Sequence, residues 1–346
     1  MSAAGARKAP TPEPAWYDLA YVKKRKVHRL PSLSVPVADT HAHMLSFWGT
    51  EPSRALARAS LAGVGALVTL VDPLADGVSP SEFRAMLDDW VEAARELVSQ
   101  AGTSPSRAPL SCEDAPGLLN GGIRYLAGVH PYGAPRFSDD TRCIVEAALS
   151  DPLCAGIGEI GLDYHFDRDD DVDPAPHDVQ MECMASQLDV AVRHNVPVEL
   201  HLRHEASDEA RTSHTDALSV LREVGVPAAG CVLHCFGEDR ATMEPFLELG
   251  CSVAFGGAAT FGRNEDVRDA FAACPHDRVL FETDCPYMAP HPLRGMECEP
   301  AMAVLTASTL VADRAERTGE RPEDVLAAAW ENSRRMFFSQ GTFCAR

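Results

Sequence analysis

The sequence predicts an α/β protein built as a (β/α)8 TIM barrel, with an N-terminal extension and a long connection between the second and third strands. Three observations predict it. Eight apolar, β-branched runs follow one another along the chain, and most are continuous instead of alternating, which suits strands covered on both faces of a parallel sheet. Helical patterns lie between them, the order expected of such a barrel. Side chains of metal-ligand type recur late in the runs, where a barrel builds its reactive face. A doubly wound open sheet with an appended domain is the competing architecture.

Residues 1–35 read as an extension outside the barrel, which is expected to occupy 36–340. The opening "MSAAGARKAPTPEPAW" has no apolar leader core. The "KKRK" run at 23–26 reads as a solvated face more than as a nucleic-acid patch. The strands follow at 37–43 ("VADTHAH"), 65–71 ("GALVTLV"), 123–130 ("IRYLAGVH"), 154–161 ("CAGIGEIG"), 197–203 ("PVELHLR"), 229–236 ("AGCVLHCF"), 251–257 ("CSVAFGG") and 278–284 ("RVLFETD"). The clearest helix starts at Ser79, where Pro80 suits the first helical position and Glu82 completes a capping box. Phe83, Met86, Leu87, Trp90, Val91, Ala94, Leu97 and Val98 then recur at helical spacing, a core stripe. Further amphipathic segments lie near 180–194, 213–224, 239–249, 264–273, 300–317 and 323–338. The Ser/Pro/Gly-rich "AGTSPSRAPLSCEDAPG" after the first helix reads as an insertion at one rim.

Composition narrows the classes of function. A hydrophobic fraction of 45% is ample for a packed core. The formal charge of −20 disfavours binding a polyanion over a broad surface but leaves room for a small local site. Eleven cysteines without a CxxC pair suit reduced thiols in a cytoplasmic protein. No run of about 18 apolar residues occurs, so no membrane association is expected.

Chemistry concentrates at one end of the strands. His41 and His43 close the first, His130 the third, and Asp284 the eighth, while Glu159, His201 and His234 lie late in the fourth, fifth and sixth. In a β-strand positions i and i+2 share a face, so Asp39, His41 and His43 converge. Asp39 lies deeper, and is expected behind the histidines or in the barrel interior. With His130 nearby but not counted, the six N and O ligands His41, His43, Glu159, His201, His234 and Asp284 exceed what one tetrahedral zinc takes, so a binuclear site bridged by Glu159 is the natural reading. Two divalent ions are expected, whether zinc, manganese, magnesium, iron or nickel. The alternating acids Asp167, Asp169, Asp171 and Asp173 form no calcium loop, because Val172 stands where glycine is needed and Asp178 where glutamate is.

"ADTHAH", "GIGEIGLDYH", "VPVELHLRHEA", "VLHCF", "VLFETDCPY" and "ENSRRMFF" resemble, in order, the motifs of the TatD family of metal-dependent hydrolases and deoxyribonucleases, within the amidohydrolase superfamily. The resemblance runs from about residue 37 to 338. It implies one metal held chiefly by His41 and His43, another by His201 and His234, Glu159 between them, and Asp284 as ligand and proton acceptor. Glu159 on the fourth strand favours this family over enzymes bridged by a carboxylated lysine. Three departures bear on substrate: "FGED" replaces Phe-Ser-Gly, His204 replaces an acid after Arg203, and Cys298 replaces the Asn of Asn-Glu-Pro.

The resulting expectation is a deoxyribonuclease acting on DNA ends or short single-stranded DNA, with Asp284 and Glu159 catalytic. His130, Tyr164 and Arg203 are candidate substrate-binding residues. For Arg203 a phosphate clamp and a structural ion pair weigh equally, and Tyr164 either orients substrate or fixes its loop. The alternative is a hydrolase of a small-molecule ester, lactone, amide or phosphoester. A non-catalytic metal-binding protein is disfavoured by the complete ligand set.

Overall fold

In the computed structural model the described residues are 15–101, 117–166 and 173–339. The acids Asp167, Asp169 and Asp171 and most of the Ser/Pro-rich insertion lie outside them. Two short strands, β1 (Ala20–Lys23) and β2 (Lys26–Arg29), form an antiparallel hairpin. The barrel strands are β3 (Val37–Ala42), β4 (Val64–Val71), β5 (Ile123–Ala127), β6 (Cys154–Asp163), β7 (Val198–Arg203), β8 (Cys231–Leu233), β9 (Ser252–Phe255) and β10 (Val279–Phe281). They lie parallel, side by side in chain order. The sequence-predicted barrel is therefore the observed architecture.

The seam between β10 and β3 is closed by few bonds. Ala42 bridges Cys285, the Asp284 N–H donates to the His41 carbonyl at 3.0 Å, and the His43 N–H donates to the Cys285 carbonyl at 2.7 Å. Asp39 adds a side-chain staple. Its carboxylate accepts the Thr283 N–H at 2.8 Å and the Thr283 hydroxyl at 2.7 Å.

Outside the barrel run α1 (Pro52–Ala62), α2 (Pro80–Ala101), α3 (Asp139–Ala148), α4 (His177–His194), α5 (Thr212–Val224), α6 (Arg240–Glu248), α7 (Glu265–Ala273), α8 (Ala303–Thr318) and α9 (Pro322–Phe337). The capping box of α2 forms as predicted, with the Ser79 N–H on Glu82 Oε2 at 2.8 Å and the Glu82 N–H on Ser79 Oγ at 3.3 Å. Helices α1 and α3 were not anticipated. The buried face of α1 is Ala55, Leu56, Ala57, Ala59 and Ala62, and that of α3 is Thr141, Val145 and Ala148, so neither is marked by a run of large apolar side chains.

The main core lies between barrel and helices. A second cluster joins Val68, Leu126, Val232, Ala254 and Leu280 to Trp330, Met336, Phe337 and Phe338. Trp330 lies against Gly65 at the start of β4, Met336 against Gly230 just before β8, and Asn332 donates to the Val279 carbonyl that begins β10. Helix α9 thus plugs the N-terminal end of the barrel, leaving the other end for chemistry. Leu19, Tyr21 and Leu30, around the hairpin, pack into the main core. No helix among the described residues is long and apolar enough to cross a membrane.

Candidate metal centre

Strand β3 carries His41, fully buried, and His43 follows one residue past its end. Their Nε2 atoms lie 3.0 Å apart. Asp284 Oδ1 lies 3.7 Å from the first and 3.4 Å from the second. Glu159 Oε2 completes the group at 3.8 and 3.7 Å. Tetrahedral coordination with bonds of about 2.0–2.1 Å sets ligand atoms about 3.3 Å apart, within the range these four span.

The other oxygen of Glu159 faces a second group. Its Oε1 lies 2.6 Å from His201 Nδ1 and 2.7 Å from His234 Nε2, and those nitrogens are 3.2 Å apart. Direct hydrogen bonding tightens this group. Each group matches a divalent ion in donor chemistry, and Glu159 belongs to both.

Three further carboxylates stand behind the histidines. His41 Nδ1 lies 3.1 Å from Glu199 Oε2, and His201 Nε2 lies 3.1 Å from Asp163 Oδ2. Glu282 Oε1 lies 3.8 Å from His234 Nδ1 and accepts the Cys235 N–H at 2.6 Å. Such a partner fixes the ring and leaves the opposite nitrogen for an ion. Glu199 and Glu282 were missed as site residues. Their signal was present: Glu199 sits two positions before His201 on β7, and Glu282 two positions before Asp284 just past the end of β10, each one step deeper than the ligand it precedes.

Burial governs the protonation states. It pushes Asp39 up to about 7 against the opposing Thr283 bonds, and Glu199 and Glu282 well above the usual carboxylate range. Burial, then His234, drives His41 well below an ordinary imidazole, so its single ring proton belongs on Nδ1, toward Glu199. Burial also raises Glu159, but His234, His201 and His130 outweigh it and hold the carboxylate well below its ordinary value. Burial opposes a charge on His201, yet Glu159 and Asp163 raise it to about 10. An ion binding there must displace that proton.

The sequence-predicted strand ends shift at several positions. His130 lies three residues beyond β5, and Asp284 beyond β10 with a left-handed φ of 56°. These residues project from loops at the mouth, not from paired strand. His130 remains close, its Nε2 3.9 Å from Glu159 Oε1. Its Nδ1 accepts the Tyr132 N–H at 3.2 Å, and burial, then His201, lowers its pKa to about 3. It is therefore a neutral donor facing the cluster.

Arg203 lies at the rim, 42% exposed, with Nη1 3.8 Å from Asp163 Oδ2. Tyr164 is turned away from the mouth. Its ring stacks on His177 and its hydroxyl donates to Asp216 at 2.9 Å, among the outer helices. Two departures from the family pattern meet each other, His204 Nδ1 lying 3.5 Å from Glu238 Oε1. Trp48 and Tyr287, both exposed, have ring centroids 6.1 Å apart, and Tyr287 lies 6.0 Å from His43. Neither was given a role from sequence: Tyr287 stood only as the last residue of the "VLFETDCPY" motif, and Trp48 sits on a loop without a periodic pattern.

A parallel barrel that gathers imidazoles and carboxylates at the C-terminal mouth of its strands defines a metal-dependent hydrolase. The model of the family described as TatD related DNase matches residues 38–338, and the chain belongs to that family. It is 28% identical to the uncharacterized metal-dependent hydrolase TatD of Mycobacterium tuberculosis over 87% of this chain and 97% of the relative. It is 29% identical to the 3'-5' ssDNA/RNA exonuclease TatD of Pantoea vagans over 61% of this chain and 76% of that one. The crystal structure of YJJV, a TatD homolog from Escherichia coli K12, superposes with a TM-score of 0.64 at 23% identity, covering 88% of this chain and 99% of the other.

Proposed function

We propose that the chain hydrolyses phosphodiester bonds at DNA ends or in short single-stranded DNA with the aid of two divalent metal ions. The observation that carries this reading is Glu159, whose two oxygens serve separate ligand groups, His41, His43 and Asp284 on one side and His201 and His234 on the other. The name of the Pantoea vagans relative supports a single-stranded nucleic-acid substrate. So do the exposed faces of Trp48 and Tyr287 beside His43, since unpaired bases stack on such rings.

Ions held by His41, His43, Glu159 and Asp284 and by His201, His234 and Glu159 would supply an activated water and Lewis-acid polarisation of the phosphoryl oxygens. Asp284, at the mouth and within 3.4 Å of His43, takes the proton from the attacking water. His130 presents its Nε2–H to an oxygen of the phosphate. Arg203 offers its guanidinium at the rim, and the aromatic pair orients the terminal base. Asp163, Glu199 and Glu282 hold the imidazoles in place.

The test strips the protein of metal and restores manganese, magnesium or zinc. It is then assayed against a labelled single-stranded oligonucleotide and a panel of small esters, lactones and phosphoesters. Metal-dependent shortening of the oligonucleotide is the expected result; an intact oligonucleotide with a cleaved small ester overturns the reading in favour of a small-molecule hydrolase. Asp284→Asn should lower turnover roughly 10²–10⁴-fold with an unchanged circular dichroism spectrum. Turnover equal to the parent would remove Asp284 from its role.

A further inference from the structure

The "KKRK" run forms the tip of the β1–β2 hairpin, with Lys23 ending β1 and Lys26 beginning β2. The central residues, Lys24 and Arg25, take left-handed φ values of 48° and 64°. Two-residue hairpin turns of this kind favour Asn and Gly, because a side chain there is strained. Here two cations occupy the strained positions.

The hairpin does not stand apart from the mouth. Lys23 Nζ donates to the Arg294 carbonyl, tying the tip to the loop 285–298 that follows Asp284. Between hairpin and loop lies a cleft of about 440 Å³ lined by Lys23, Lys24, Lys26, His28, His291 and Arg294 together with Pro292. Among the described residues no acidic one lines it, although the chain as a whole carries −20. Partial burial, then Lys24 and Arg294, lower the pKa of Lys23, as expected in a concentrated positive potential. The Arg294 guanidinium is seated over the Phe261 ring, 4.6 Å from its centroid.

The same loop reaches the metal centre. It begins beside Asp284, and its Tyr287 stands over His43. One loop therefore joins the ligand cluster, at Tyr287, to the cleft, at His291, Pro292 and Arg294. The hairpin precedes the family-matched region, which begins at residue 38. It lies outside the residues that the family model matches.

We propose that this cleft binds the phosphate backbone of a single-stranded nucleic acid, several nucleotides away from the bond being cut. The inference rests on the reading of the metal centre as a phosphodiesterase site. Lys24 and Lys26 are exposed and supply charge without the bond that ties Lys23 to the loop, so they are the residues to change.

Fluorescence anisotropy with the metal-loaded full chain compares the parent with Lys24→Glu/Lys26→Glu and with Lys24→Arg/Lys26→Arg, using a labelled single-stranded oligonucleotide. The Glu variant should bind roughly three- to tenfold more weakly, and the slope of log affinity against log salt should flatten by about 0.7 for each phosphate no longer neutralised. The Arg variant should match the parent. In a cleavage assay, the preference for the oligonucleotide over a dinucleotide should fall in the Glu variant through KM. Equal affinity and salt slope in parent and Glu variant overturn the cleft, as does retention on phosphatidylglycerol vesicles with no oligonucleotide binding. The two readings fail separately. An oligonucleotide bound through Lys24 and Lys26 but never cut refutes the phosphodiesterase and keeps the cleft, whereas one cut equally by both proteins does the reverse.

Discussion

Asp39, His41 and His43 alternate along one strand yet serve three ends. Asp39 staples the barrel seam through Thr283, His41 is a fully buried ligand candidate held from behind by Glu199, and His43 stands partly exposed at the mouth. The strand period made their common face legible in the sequence, and the deeper position of Asp39 separated it from the two histidines. What could not be read was the partner of His41, because Glu199 lies 158 residues along the chain and meets it only when the barrel closes. That pairing gives a prediction. Without Glu199 the His41 ring loses the acceptor for its Nδ1–H, so Glu199→Ala should weaken metal binding about 10–100-fold. Glu199→Gln, which keeps an acceptor oxygen of similar size, should recover most of the loss. Competition for zinc against a chelating dye measures both. Equal affinities in the parent and the Ala variant would reduce Glu199 to a buried acid without a positioning role.

Among the elements, the periodic helices and the continuous apolar strands were legible, while α1 and α3 were not, because their buried faces are mostly alanine and other small side chains. Strand β6 shows how alternation carries further than a motif. With Glu159 facing inward, Gly161 and Asp163 share its face and Tyr164 takes the other, which is why the tyrosine ends among the helices. Gly161 has a φ of 143° and its missing side chain leaves room for the His201 carbonyl of β7, so the "GEIG" glycine keeps the two ligand strands in register. A second element-level constraint lies away from the mouth. Arg314 of α8, only 3% exposed, donates to the Phe271 and Cys274 carbonyls at 2.9 Å each and to Glu320 Oε2 at 2.5 Å. The bond from Arg314 holds Glu320 down to about 2. A carboxylate lowered on folding stabilises the native state above its unfolded value of about 4.3 and loses that contribution as pH falls through the folded value. Glu320→Gln should therefore melt below the parent at neutral pH, and the gap should narrow between about pH 4 and pH 2. A gap that stays constant through that window in thermal melts would show that Glu320 does not act through its charge.

At the scale of the molecule the barrel has two ends with separate tasks. The mouth crowds Glu159, Asp163, Asp284, Glu199 and Glu282 around the imidazoles of His41, His43, His130, His201 and His234, an arrangement that bound cations stabilise. The opposite end is sealed by Trp330, Met336, Phe337 and Phe338, with Asn332 bonded to the start of β10. If the ends are energetically independent, perturbing one leaves the other's contribution intact. An ion at about 1,000 times its Kd adds about 4 kcal/mol to stability. Truncating a buried aromatic such as Trp330 to Ala removes about 3–5 kcal/mol. Sites with no shared partners add to within about 0.5 kcal/mol, so chelation should destabilise the parent and Trp330→Ala by the same amount in denaturant titrations. The variant should also bind metal as tightly as the parent. A chelation effect that shrinks in Trp330→Ala, accompanied by weaker metal binding, would mean that the plug transmits its packing through the strands to the ligands and that the two ends are one cooperative unit.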